Sequence, residues 1–93
     1  MLSTLSQAIR SQSVVTFVYR ARRRYVEPHI LGYDQEGTPL LLAWQLTGAQ
    51  QDEFRSFRLD MMSGTTATAR SFPGPRAGYN PNDRLFSRVL SRL

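Results

Sequence analysis

The sequence predicts a mainly β, α+β protein: a small five-stranded antiparallel barrel with a short N-terminal helix and an amphipathic C-terminal helix. Three observations carry that expectation. Five short runs rich in β-branched, aromatic and aliphatic residues follow one another, joined by connections of only a few residues. The two ends of the chain show helical spacing instead. Closing a sheet of such short strands removes the edges it would otherwise expose. At 93 residues the chain fits one domain with a small core.

The elements are justified in turn. Residues 3–11 read as a helix that Ser3 or Thr4 can cap, with Leu2, Leu5, Ala8 and Ile9 on one face. Val14 to Arg20 is the clearest strand. Val15, Phe17 and Tyr19 share one side, and Val14, Thr16 and Val18 the other, so both faces are covered. Residues 20–24 read as a turn or as the splayed ends of a hairpin. Tyr25 to Tyr33 is a second strand, and Pro28, lacking a ladder donor, places an edge or a bulge within it. Residues 34–37 turn. Pro39 to Leu46 is apolar on both faces and hence central, with Trp44 read as core because Leu40, Leu42 and Leu46 share its parity. Residues 47–52 form a polar loop, Glu53 to Leu59 a fourth strand, residues 61–64 a turn and Thr65 to Phe72 a fifth strand.

Two prolines and two glycines then mark residues 73–79 as a linker. Asn80, Pro81 and Asp83 signal a helix start, and Leu85, Phe86, Val89, Leu90 and Leu93 form its apolar stripe. The expected organisation is a barrel domain over 1–72, a linker over 73–79 and an amphipathic helix over 80–93. That helix could mediate a homodimer.

All 12 basic residues behind the net charge of +5 are arginines. Residues 1–24 carry five of them and no acid, residues 25–60 carry two with six acids, and residues 61–93 carry five with one acid. Planar guanidinium forks grip phosphate bidentately, so this segregated charge points to a polyanionic partner. Cysteine is absent, which excludes disulfides and thiolate chemistry and suits a reducing cytoplasm. No apolar run approaches the roughly 18–20 residues that span a membrane. The single histidine has no second ligand beside it, so no metal site is expected, and no catalytic constellation or cofactor motif is present.

The order of motifs resembles that of the WYL domain family. It runs from a short helix with Ala8-Ile9 to a strand ending in Tyr19, then Arg24-Tyr25-Val26-Glu27-Pro28-His29, an apolar strand after Gly37, and Arg55-Ser56-Phe57-Arg58-Leu59-Asp60. The name-giving aromatics fall on Pro39-Leu40-Leu41 here, and the basic residue expected after Asp60 is Met61. The resemblance implies a small Sm-like or SH3-like barrel. It also implies a non-enzymatic regulatory module that binds nucleic acid or a nucleotide-like ligand, of the kind found in bacterial transcription regulators and phage or CRISPR defence proteins. The family's binding positions fall on Tyr19, Arg24, His29, Arg55 and Arg58, and a family serine falls on Ala21.

The candidate binding residues are Tyr19, Arg20, Arg22, Arg23, Arg24, His29, Arg55 and Arg58. The arginines would neutralise phosphate, against the alternative of a solvated turn. Tyr19 and His29 would read a base or sugar, against the alternatives of core packing and a structural imidazole. Arg55 and Arg58 have opposite strand parity, so one regular face cannot present both, and Arg58 could instead pair with Asp60. Without a groove-reading helix, single-stranded RNA or DNA or a nucleotide-like ligand is expected rather than duplex.

Overall fold

The computed structural model describes all 93 residues. The chain folds as α1 (Leu2–Ser11), β1 (Ser13–Tyr19), β2 (Arg22–Tyr33), β3 (Pro39–Gln45), β4 (Glu53–Arg58), one turn of 3-10 helix (Leu59–Met61), β5 (Met62–Ser71) and β6 (Arg88–Arg92). All pairings are antiparallel, in the order β4-β3-β2-β1-β5, with β6 added to β2.

The sheet therefore has six strands and is not the closed five-stranded barrel expected from the sequence. No ladder joins β4 to β5. The 3-10 turn carries the chain between those two edges, and its neighbours fill the gap with side chains rather than backbone bonds. Leu59 and Met62 pack into the core there, and the Tyr19 hydroxyl accepts the Arg58 backbone N–H at 3.2 Å. The open edge at β5 is polar, and its pairing with β1 shifts register twice, which makes it a poor template for further pairing.

The C-terminal helix is the second correction. Residues 80–87 form turns and residues 88–92 form a strand. Asn80 and Asp83 turn their side-chain oxygens onto the backbone N–H groups of Asn82 (3.0 Å) and Leu85 (2.9 Å), a local bond that competes with the helix. The open edge of β2 then offers Arg88–Arg92 a ladder from Ile30 to Tyr33. Gly32 permits the close approach, since a Cβ there would meet the Arg88 carbonyl. The expected apolar stripe is split: Phe86 is buried, Leu93 half-buried, Val89 and Leu90 exposed. The dimer contact drawn from that stripe has no helix to make it.

Both faces of the sheet are covered. Leu5, Ala8 and Ile9 of α1 pack on Val15, Phe17, Val26, Leu31, Leu41, Ala43 and Phe57. This is the inner face. The alternate residues Ile30, Leu40 and Leu42 form the outer face, covered by Tyr79, Leu85 and Phe86. The helix starts at Met1 without a side-chain cap and ends at Gln12 in the left-handed region (φ 54°), whose N–H returns to the carbonyls of Ala8 and Ile9.

Strand β2 organises the molecule. One of its edges pairs with β3 from Val26 to Tyr33. The other pairs first with β1, from Arg22 to Val26, and then with β6, from Ile30 to Tyr33. Between those partners lie Glu27, Pro28 and His29, and the register with β3 shifts between Pro28 and Ile30, where the proline cannot donate.

Candidate functional site

The turn between β1 and β2 is only two residues long. Arg20 and Ala21 both hold positive φ, 51° and 62°. This is the twist a two-residue hairpin needs, although neither residue is the Asn or Gly that usually supplies it. Arg22, Arg23 and Arg24 thus belong to the strand rather than to a turn, and their side chains alternate between faces.

Arg24 lies opposite Phe17 on the inner face and is buried. Its guanidinium donates to Gln45 Oε1 (3.2 Å) and to the Tyr19 carbonyl (3.1 Å), and it stands 5.6 Å from the centroid of the Tyr19 ring. Its Nε–H has no partner. Burial, and then the nearby charges of Arg55 and Arg22, hold its pKa below the ordinary arginine value. Arg55 on β4 lies on the same face, half-buried, 5.3 Å from the Phe57 ring centroid.

These residues meet at a cavity of about 500 Å³ lined by Arg22, Arg23, Arg24, Arg55 and the loop Thr47–Gln50. No carboxylate lines it. The two ion pairs of the protein are elsewhere, at Arg58–Asp60 and Arg76–Glu27, so none of these four arginines is neutralised. Arg23 also reaches Thr16 Oγ1 at 3.1 Å. Gly48 gives the loop its positive φ of 90°.

The remaining candidates lie apart. Tyr19 is buried, edge-on to Phe17 and Phe57, and its hydroxyl is spent on the Arg58 N–H and Met61 Sδ. It supports the cavity from beneath through its carbonyl. Arg20 is exposed on the hairpin turn. Arg58 is exposed and forms a two-pronged pair with Asp60, at 3.1 and 2.8 Å, which raises its own pKa and lowers that of Asp60.

His29 is fully buried at the bulge of β2, ringed by Phe54, Phe72 and Tyr79 at 5.0, 6.0 and 5.1 Å. Its Nε2 lies 3.1 Å from the Arg76 backbone N–H and must accept from it. Nδ1 then carries the proton and donates to the Glu27 carbonyl at 2.8 Å. The imidazole is neutral, and burial depresses its pKa. Beside it the buried Glu27 carboxylate takes both prongs of Arg76, at 2.8 and 2.9 Å, and the same guanidinium stands 5.2 Å from the Trp44 ring centroid. Trp44 is half-buried on the outer face against Phe54 rather than in the inner core.

The WYL domain profile matches residues 1–67 of this chain. The chain belongs to the WYL domain family. WYL domains are non-catalytic and are generally linked to ligand-sensing or nucleic-acid-sensing regulatory roles. No curated protein and no solved structure gives a match. In this WYL domain no group of three or more His, Cys, Asp or Glu side chains is placed to hold a metal ion, and no helix is long and apolar enough to cross a membrane.

The sequence singled out the arginines as candidates, but not Gln45 or the Glu27–Arg76 pair. A signal for Gln45 existed: a glutamine shares the parity of Leu41 and Ala43 in a strand covered on both faces. Nothing in the sequence linked Glu27 to Arg76, which stand 49 residues apart.

Proposed function

We propose that this WYL domain is a regulatory module that binds a single-stranded nucleic acid or a nucleotide-like ligand by its phosphate groups, in the cavity of Arg22, Arg23, Arg24 and Arg55. One observation carries the reading: four arginines line a single concavity, Arg22, Arg24 and Arg55 from the inner face and Arg23 from the neighbouring position that turns its guanidinium to Thr16, with no carboxylate to neutralise them. Holding like charges together costs free energy that an anion would recover, and phosphate matches the guanidinium fork. The cavity lies within the usual size range of small-ligand sites. No aromatic ring lines it, so phosphate rather than base recognition supplies the affinity. Such binding fits a sensing domain in bacterial transcription regulation or in phage or CRISPR defence, in a cytoplasmic setting.

The test is fluorescence anisotropy with labelled single-stranded RNA, single-stranded DNA and duplex DNA across a salt series. Single strands should bind with a log–log salt slope of about −2, as about three phosphate contacts require. Absence of binding to all three at low salt would remove the proposal.

A further inference from the structure

Gln45 closes β3 on the inner face, beside Arg24, and is 1% exposed. Arginine offers only donors, so the amide must present its oxygen to Arg24, at 3.2 Å. The other acceptor on that guanidinium is the Tyr19 carbonyl. Both acceptors are uncharged. The buried Arg24 is thus oriented on two sides with its charge uncompensated, and its Nε–H remains unpartnered. The rest of the molecule shows what a carboxylate does instead: Glu27, equally buried, captures both prongs of Arg76 and leaves that guanidinium neutralised.

Glutamate has nearly the size of glutamine and could occupy position 45. It would pair with Arg24 and relieve the crowding against Arg22 and Arg55. The neutral amide fixes Arg24 as a carboxylate would, but leaves its positive charge unmatched.

We infer that Gln45 is the positioning residue of the cavity: its neutral amide aims Arg24 at the ligand while leaving the charge uncompensated, which reserves the site for phosphate. This rests on the phosphate reading of the cavity given above. The backbone of Gln45 adds to the role, since its carbonyl accepts the Asp52 N–H at 2.7 Å and so closes the loop whose residues 47–50 line the cavity.

The experiment compares wild type, Gln45→Glu and Arg24→Ala for binding to a labelled oligothymidylate and for thermal stability. Gln45→Glu should bind about tenfold or more weakly, the loss of one charge-assisted bond to phosphate. Its salt slope should be shallower by about 0.7, one contact fewer. Its melting temperature should equal or exceed that of wild type, whereas a merely structural glutamine would lower stability and affinity together. Wild-type affinity in Gln45→Glu, with Arg24→Ala weakened, overturns the inference and leaves the phosphate reading standing. No binding by wild type overturns both. Should Gln45→Glu fail to fold, Gln45→Met removes the acceptor and keeps the charge of Arg24. It should weaken binding at an unchanged salt slope, and an unchanged affinity overturns the inference.

Discussion

Two arginines on opposite faces of the sheet meet opposite fates. Arg24, on the inner face, is held by an amide and a carbonyl, crowded by two other arginines, with one N–H unused. Arg76, on the outer face, is clasped by the buried carboxylate of Glu27, and its pKa is raised by that bond. The second arrangement is closed: its hydrogen bonds and its charges are satisfied, and it ties residues 73–79 to the bulge of β2. The first is open, with charge in excess of its partners. The difference teaches where to look for function in a small basic protein. The count of arginines says little, and the presence or absence of a carboxylate within reach says more.

Mutations should separate the two regions. The largest effect is expected at Arg76. Arg76→Ala leaves the Glu27 carboxylate, whose side chain is only 3% exposed, without a cation. Breaking a buried pair in this way should cost about 3 kcal/mol in urea unfolding. A loss below about 1 kcal/mol would mean that the pair is not what holds this strap down. Nucleic-acid affinity of the folded fraction should be unchanged.

Arg24→Ala should reverse the pattern. Affinity for a single strand falls about tenfold or more, while stability falls by about 1–2 kcal/mol, less than at Arg76, because two buried acceptors lose their donor but a crowded cation is also removed. Arg58→Ala is the control, since its charge is already matched by Asp60, and it should leave affinity within about twofold and the salt slope intact. Equal losses in the two variants would erase the distinction drawn between paired and unpaired arginines.

Acid should act on the outer-face region. His29 is neutral in the fold, with its pKa depressed from 6.5 chiefly by burial, so the unfolded chain takes up a proton first as the pH falls. Its contribution is complete above about pH 6.5 and is lost as the pH drops toward the folded value. Protonation would also set Nε2–H against the Arg76 N–H. Melting temperatures should decline below about pH 6.5, and His29→Phe should flatten that decline. An identical decline in the variant would place the acid sensitivity elsewhere.

The smallest effect is expected at the hairpin that presents the inner-face arginines. Ala21 holds φ 62°, a conformation that glycine adopts freely. Ala21→Gly should stabilise the protein by about 0.5–1 kcal/mol without altering affinity. A destabilised variant would show that the turn is not strained.

Much of this was legible in the chain. The helix from Leu5 to Ile9, the strands around Phe17, Leu41 and Phe57, and the bulge at Pro28 follow from local residue chemistry, and the family follows from the order of motifs. The arginines at 22–24 stood out by density, and Arg55 by the resemblance to the family's motif. Their division was not legible, because parity alone cannot tell which face ends in a cavity and which in a carboxylate.

Local sequence determined the elements whose signals are short-range: apolar alternation, the missing donor of Pro28, and the concentration of basic charge ahead of Tyr25. Tertiary structure decided the rest. Residues 88–92 became a strand because β2 had an unpaired edge opposite Gly32, a vacancy more than 50 residues away in the chain. The sheet stayed open because Leu59, Met62 and Tyr19 fill the gap between β4 and β5 with side chains. Arg24 kept its charge unpaired because the strand beside it ends in Gln45, and Arg76 did not because the chain folds back over Glu27. Such outcomes depend on which groups meet across space, and the spacing of residues along the chain does not encode that meeting in any short-range pattern.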